Sequence, residues 1–358
     1  MIREFVYSGQ SPRVVFGAGA LAHLEREIDL LGARRALVLS TPGQRRQAQM
    51  VADRLGPRAA GIFARAVMHV PIEAAREARE EARRLGADCA VAIGGGATTG
   101  LGKAIALDSG LPMLAIPTTY AGSEMTPIYG IIEDGLKKTG KDPRVLPRTV
   151  IYDPQLTLSL SVKLSITSGM NAIAHPAEGL YARDGNPVMD LMAGEGIRAL
   201  AHALPAIRAR GDDVDARGAA LYGAWLCGSV LGNAGMALHH KLCHTLGGSF
   251  NLPHAEVHTV ILPHAIAFNA PAVPEAMARI QRALGLQGQG SAAAGLFDLA
   301  RDNGAPVALR DIGMREEDVD RAADIAVSHP YWNPREIGPA QRGEIRELLQ
   351  KAFEGSRP

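Results

Sequence analysis

Roughly the first 150 residues alternate short β-rich runs with amphipathic helical stretches, and this rhythm restricts the fold more than any other feature. The runs are RALVLS (35–40), CAVAIGGG (89–96), LPMLAIPTT (111–119) and RTVIYDP (148–154), with the helical IEAAREAREEARRLG (72–86) between the first two. Apolar strands separated by helices imply βαβ units and a parallel sheet. Beyond Pro154 the pattern changes to long Ala- and Leu-rich segments, VMDLMAGEGIRALAHALPAI (188–207) and ARGAALYGAWLCGSVLGNAGMALHHKLCHTLGG (216–248), which read as helices. The expected architecture is an α/β domain with a parallel sheet over 1–155 and an all-α domain over 156–358. No Gly/Ser- or Pro-rich linker separates them, so a tight shared cleft is expected. The length of 358 residues supports two domains, because one hydrophobic core stops growing at about 250–300.

Two glycine clusters compete for a phosphate-binding role. VVFGAGALA satisfies G-x-G-x-x-A through Gly17, Gly19 and Ala22. The dinucleotide fingerprint also wants an acid about 20 positions on, where this chain has Ser40-Thr41-Pro42; a tight turn into a helix is the better reading. AIGGGATTGLGKAIAL (92–107) is better placed, since Gly94, Gly95 and Gly96 follow an apolar strand and lead into a helix whose free N–H groups suit a pyrophosphate. A nucleotide-triphosphate P-loop ending at Lys103 fails at Ala97 and Ala104. IPTTYAGSEMTP (116–127) sets Thr118, Thr119 and Ser123 after another strand, where hydroxyls suit a ribose or carboxamide. Two such loops at successive strand ends favour a dinucleotide across the sheet edge.

Five of the eleven histidines fall between residues 239 and 258. His240 and His244 share one helix face; Gly247 and Gly248 are expected to end that helix and Pro253 to open the next, returning His254 to the same cleft. Asn171 and His175 form another i, i+4 pair. Imidazoles with one carboxylate would suit zinc or ferrous iron, but Asn171 stands where the acid is expected. Cys243 and His244 point about 100° apart on a helix, a poor arrangement for a cysteine nucleophile. Glu178 and Glu124 are candidate acid/base groups, with helix capping and ion pairing as equal alternatives. HPYWNPREI (329–337) is a candidate pocket wall, and burial of Tyr331 and Trp332 in a core explains it equally well.

Composition narrows the partners. A net charge of +1 with 47% hydrophobic residues argues against nucleic-acid binding. Cys89, Cys227 and Cys243 form no CxxC pair, which fits a reducing cytoplasm. No apolar run reaches the length of about 18 that a membrane span needs, and MIREFVYSGQ lacks a signal-peptide core.

Together, GGGATTGLGKAIAL, PTTYAGSEMTP, KKTGKDPRVLPRTVIYDP, GMNAIAHPAEGLYA and HHKLCHTLGGSFNLPHAEVHTVILPHAI resemble the iron-containing (group III) alcohol dehydrogenase superfamily, and within it the maleylacetate reductase branch. The resemblance implies a Rossmann-like N-terminal domain, a helical C-terminal domain of the dehydroquinate-synthase-like kind, NADH or NADPH between them, and a homodimer. It implies that Gly95, Gly96 and Ala97 cradle the pyrophosphate, that Thr118, Thr119 and Ser123 line the adenine-to-nicotinamide path, and that Ser40 and Thr41 sit at the adenosine ribose. It also offers Lys103 and Lys137 as candidates for cofactor contact. In metal-dependent members one Asp and three His hold the ion, and these map onto Asn171, His175, His240 and His254, with His244 beside the nicotinamide. The chain departs at Asn171, and at Gly100 where alcohol dehydrogenase members carry Asp in GGGSxxDxxK. Both departures resemble the branch regarded as working without a metal.

The implied reaction is reduction of the C=C bond of the dicarboxylate 2-maleylacetate to 3-oxoadipate, a late step in degrading resorcinol, hydroxyquinol or chlorocatechols. Hydride attack on an enone places charge on an enolate oxygen, which hydrogen-bond donors can stabilise in place of a metal. His175, His240 and His254, expected to be protonated, would be those donors; Asn171 would orient the substrate and His244 would relay the proton. Arg45 and Arg46 near the acid-free ribose site predict tolerance of NADPH. The alternatives are a metal-dependent alcohol or polyol dehydrogenase and a dehydroquinate-synthase-like lyase that uses NAD without net redox.

Overall fold

The computed structural model describes residues 4–9, 11–133, 136–328 and 331–358, without the side chains of Leu136 and Lys137. The chain divides into two compact units: Gln10–Leu160, and Ser161–Pro358 together with Met1–Gly9.

The first unit is α/β. Its strands are β1 (Arg13–Phe16), β2 (Ala36–Leu39), β3 (Ala59–Phe63), β4 (Cys89–Gly94), β5 (Met113–Pro117), β6 (Ile128–Glu133), β7 (Leu136–Lys141) and β8 (Thr149–Tyr152). Six of them form one sheet in the order β1-β8-β5-β4-β2-β3, parallel throughout. β2, β4, β5 and β8 are buried at every position, which explains why their sequences are continuous apolar runs rather than alternating ones. The helices are α1 (Leu24–Leu30), α2 (Arg45–Leu55), α3 (Ile72–Arg84) and α4 (Gly96–Ser109). β3 and the antiparallel hairpin of β6 and β7 were not expected from sequence.

The Gly17–Gly19 turn is closed by the protein itself. One Asp153 carboxylate accepts from Gly19 N and Leu21 N, both at 3.1 Å. An anion already occupies these N–H groups, so this glycine pair is a structural turn beside an edge strand.

The second unit is helical: α5 (Val162–Gly179), α6 (Pro187–Ala209), α7 (Val214–Asn233), α8 (Leu238–Phe250), α9 (His254–Asn269), α10 (Pro274–Ala283), α11 (Ala292–Asp302), α12 (Asp318–Ser328) and α13 (Arg342–Glu354). α5 packs against α6, α7 and α9 and is buried from Ser165 to Gly179. A Cβ at Gly179 would lie 2.3 Å from Val230 Cγ1 on α7, so that close approach requires glycine. A core of Leu238, Leu242, Val257, Ile261, Val319 and Leu349 joins α8, α9, α12 and α13, with Tyr331 packed against it; His329 and Pro330 lie outside the described residues. Among the described residues no helix is long and apolar enough to cross a membrane.

Two helix boundaries differ from expectation. The segment read as continuous over 216–248 breaks between Asn233 and Leu238, where Ala234 is extended and Gly235 N donates to Asp184 Oδ1 at 2.7 Å. Gly247 and Gly248 do not end α8; it continues to Phe250 and stops at Asn251 in the left-handed region, φ 53°, a conformation that asparagine tolerates.

Candidate active site

In the α/β unit three strand ends meet where the strand order reverses. β2 lies between β3 and β4, and the space beyond the carboxyl ends at such a switch point is where open α/β sheets bind ligands. β2 leads into Ser40 and Thr41, β4 through Gly94 and Gly95 into α4, and β5 into Thr118 and Thr119. α4 starts at Gly96 with no side-chain cap, which leaves its first-turn N–H groups for an anion. A Cβ on Gly95 would sit 2.9 Å from Thr119 Oγ1, so bare backbone is required there.

These loops are tied together by a residue the sequence reading overlooked. Gln44 Nε2 donates to Thr118 Oγ1 at 2.7 Å, and Gln44 Oε1 accepts from Thr41 Oγ1 at 3.1 Å. Thr118 N also donates to Gly94 O at 3.0 Å. The available signal was position alone: Gln44 lies three residues past Thr41, at the entry to α2.

Burial sorts the cofactor residues expected from sequence. Thr41, Gly95, Gly96, Ala97, Thr119 and Ser123 are at least partly exposed at this edge, whereas Ser40, Thr118 and Lys103 are buried. Each of these three is held by the protein's own hydrogen bonds. Ser40 Oγ donates to Thr41 O at 3.1 Å, and Lys103 Nζ donates to Ser123 O, Thr126 Oγ1 and Ile128 O at 2.7, 2.9 and 2.7 Å. All three ammonium protons of Lys103 thus fix the Ser123–Ile128 segment from beneath. Burial draws Lys103 down to about 7, opposed by the nearby Glu124. Glu124 is itself buried and accepts from Tyr152 Oη at 2.8 Å; desolvation raises its carboxyl above the usual range. The Lys137 side chain lies outside the described residues. At Gly100 a Cβ would meet Val70 Cγ2 at 2.8 Å, so Val70 fills the space that a larger side chain would take.

In the helical unit Asn171, His175 and Glu178 fall at i, i+4 and i+7 of α5, one stripe of that helix. α8 carries His240, buried, and His244, exposed; His254 opens α9 and is half-buried. Ring centroids are 5.3 Å apart for His175 and His240, 6.3 Å for His240 and His244, and 4.4 Å for His254 and His258. His258, 5.1 Å from His240, bridges the group and donates to or accepts from His239 through Nδ1 and Nε2 at 2.9 Å. Spacing alone does not separate His239 and His258 from their neighbours.

Asn171 Oδ1, His175 Nδ1, His240 Nε2 and His258 Nε2 are buried without a hydrogen-bond partner. Such atoms are rare in folded proteins, and four in one cluster mark a place for a ligand. Burial, reinforced by the imidazoles of His240 and His254, holds His175 well below the ordinary histidine range. Burial does the same to His239 and His258. The expectation of a protonated imidazole is therefore corrected for His175: it is neutral near pH 7.

Glu178 is fully buried and takes the capping role. Its Oε1 accepts from His239 N at 2.8 Å, and its Oε2 accepts from Ala237 N at 2.9 Å and faces His240 Nδ1 at 2.7 Å. Cys243 Sγ lies 3.6 Å from His239 Nε2, and burial with the Glu178 charge pushes its thiol well above the usual range. It is a packed, free thiol.

Comparison with known proteins gives one answer. Residues 11–154 match the model of the iron-containing alcohol dehydrogenases, and residues 165–353 match that of the C-terminal part of the Fe-containing alcohol dehydrogenase family. A maleylacetate reductase of Burkholderia cepacia is 65% identical over 357 residues, spanning 100% of both chains. The crystal structure of maleylacetate reductase from Agrobacterium tumefaciens superposes with a TM-score of 0.95 at 54% identity, covering 100% of each chain. A solved structure from Ralstonia eutropha JMP134, named as an alcohol dehydrogenase, has a TM-score of 0.97 at 68% identity over 99% of each chain. With both halves matched and relatives this similar over full length, the chain belongs to the iron-containing alcohol dehydrogenase family.

Proposed function

We propose that the chain is an oxidoreductase that uses NADH or NADPH to reduce the C=C bond of 2-maleylacetate to 3-oxoadipate. One observation carries this reading. The buried, unpartnered Asn171 Oδ1, His175 Nδ1 and His240 Nε2 bring amide and imidazole atoms together with no carboxylate among them, in a chain 65% identical, end to end, to a maleylacetate reductase. The assignment of 1–155 to cofactor binding and 156–358 to the substrate belongs to the same proposal, as do a homodimer, a cytoplasmic setting and use of NADPH.

The family's iron fits this donor set poorly. An amide stands at Asn171 where an anionic ligand is needed, and the carboxylate of Glu178 is already held by the α8 backbone and His240. Among the described residues the donor group gathered within 4.8 Å is His239, Cys243 and His258, not His175, His240 and His254. In that trio the two rings already bond each other.

Hydride chemistry is what the reduced nicotinamide supplies when bound. The chain's own residues handle the charge and the proton. Neutral His175 offers one N–H to the oxygen on which enolate charge develops, and His254 stands beside it as a second donor. Asn171, with an acceptor and a donor on one amide, orients the substrate. His240 differs from the sequence expectation: with Nδ1 donating to Glu178 its neutral ring is an acceptor at Nε2, so it donates there only when doubly protonated, with Glu178 offsetting the charge. Exposed His244, on the same helix, relays protons between solvent and His240.

The test is NADH oxidation with maleylacetate, set against a simple alcohol with NAD, each with and without chelator and with metal analysis of the purified protein. Stoichiometric NADH loss with maleylacetate, unaffected by chelator, is expected. Chelator-sensitive alcohol oxidation alone establishes the metal-dependent dehydrogenase, a reading favoured by the name of the Ralstonia relative; product formation without NADH loss establishes the lyase.

A further inference from the structure

We propose that Glu178 is a positioning residue for His240, setting both the place of its backbone and the tautomer of its ring. The inference rests on the reading of His240 as part of the reductive site.

α8 has no capping side chain of its own, yet the N–H groups at its start are all engaged from elsewhere. Ala237 N and His239 N donate to the two Glu178 oxygens at 2.9 and 2.8 Å, His240 N donates to Oε2 at 3.3 Å, and Leu238 N donates to Asn333 Oδ1 at 3.3 Å. Asn333 is held in turn by a reciprocal pair of bonds to Asn269 at 2.8 and 3.0 Å. A carboxylate at a helix N-terminus complements the dipole, and here it comes from α5, the helix that carries Asn171 and His175. The two helices are thereby locked in register through one side chain.

The same oxygen fixes the ring. Glu178 Oε2 is 2.7 Å from His240 Nδ1, and a carboxylate only accepts, so Nδ1 carries a hydrogen and in the neutral ring Nε2 is left bare. That bare Nε2 is the buried unpartnered atom of the site. An amide cannot replace this arrangement. Donors face both oxygens, so whichever way a glutamine turns, its NH2 meets an N–H or forces His240 to accept at Nδ1 and carry its hydrogen on Nε2 instead.

The test uses protein labelled with 15N-histidine, the His240 signals being identified by their loss in His240→Gln. Wild type is expected to show His240 protonated at Nδ1, and Glu178→Gln to show it protonated at Nε2. In that variant kcat for maleylacetate should fall by about 10- to 100-fold, the cost typical of removing a carboxylate that orients a histidine, with the KM for NADH little changed. Glu178→Asp, which keeps the anion, should restore the Nδ1 tautomer and part of kcat. A wild-type His240 protonated at Nε2 overturns the proposal even if Glu178→Gln does not fold; so does a folded Glu178→Gln with wild-type kcat. A wild type that fails to reduce maleylacetate overturns the functional reading instead, and leaves the spectrum to decide the positioning of the ring.

Discussion

Gln44 spans two strand ends: its amide nitrogen donates to Thr118 Oγ1 at 2.7 Å while its oxygen accepts from Thr41 Oγ1 at 3.1 Å. Neither threonine loop is held as firmly without it, because the amide also lies against the bare backbone of Gly94, where a Cβ would be 2.7 Å from Gln44 Oε1. Replacement by Leu removes two bonds worth about 0.5–1.5 kcal/mol each. Gln44→Leu should weaken NADH binding by about tenfold, measured by quenching or calorimetry, and lower the unfolding midpoint by a few degrees. Unaltered NADH affinity would show that the loops are fixed by other means.

Gly100 and Val70 form a second such pair. Val70 has φ +46°, unusual for a β-branched residue, and its Cγ2 occupies the space a Cβ at Gly100 would need. Gly100→Asp, which restores the family's usual acid, should therefore destabilise the protein by about 1–3 kcal/mol. Val70→Ala in the same chain should recover part of that loss, giving a non-zero coupling in a double-mutant cycle. Additive effects would mean that the two side chains do not compete.

Legibility in the sequence followed how local each signal is. β2, β4, β5 and β8 were readable because burial on both faces leaves unbroken apolar runs. β3, AAGIF, has too many small residues, and β6 and β7 alternate with glycine and lysine. The break between Asn233 and Leu238 was hidden because both flanking helices are apolar on nearly every face. At the site, i, i+4 spacing recovered Asn171 with His175 and His240 with His244. It could not reveal that Glu178 caps α8, since the two lie about 60 residues apart and the contact exists only in the fold. Nor could it show that Lys103 and Ser40 lie beneath the loops they were expected to expose.

Acid should unfold this protein early. His175, His239 and His258 are held well below the ordinary histidine value by burial, and His264 is drawn down to about 4 by burial and the nearby Lys351. Their folded values lie below the unfolded value near 6.5, so below that pH the unfolded chain binds more protons. The stability they contribute is complete above about 6.5 and is lost as pH falls toward the folded values. Urea unfolding between pH 7.5 and pH 5, at about half-unit steps, should show this loss. His264→Gln, six residues past His258 on α9, should flatten the slope by about one proton. A slope unchanged by that substitution removes His264 from the account.

The imidazoles should matter to turnover more than to cofactor binding. His240→Ala and His254→Ala each remove a group assigned to charge or proton handling, a loss that typically lowers turnover by about 10²–10³. NADH affinity should stay close to wild type in both. Wild-type kcat in the two variants would sink the assignment of these residues.

Asn171 offers the sharpest separation of the two chemistries the family could run here. Its Oδ1 is buried without a partner, on the same face of α5 as His175 and one turn before it. Asn171→Asp converts a neutral donor set into three imidazoles and an anion, which suits a divalent ion much better. Two consequences should follow together. Purified Asn171→Asp should retain iron or zinc approaching one ion per chain, where wild type retains a trace. Reduction of maleylacetate should fall sharply, because the new carboxylate repels a dianionic substrate and no longer offers it an N–H. If wild type already holds a full equivalent of metal, the amide is not what keeps the ion out; if the variant gains metal without losing reductase activity, Asn171 does not orient the substrate.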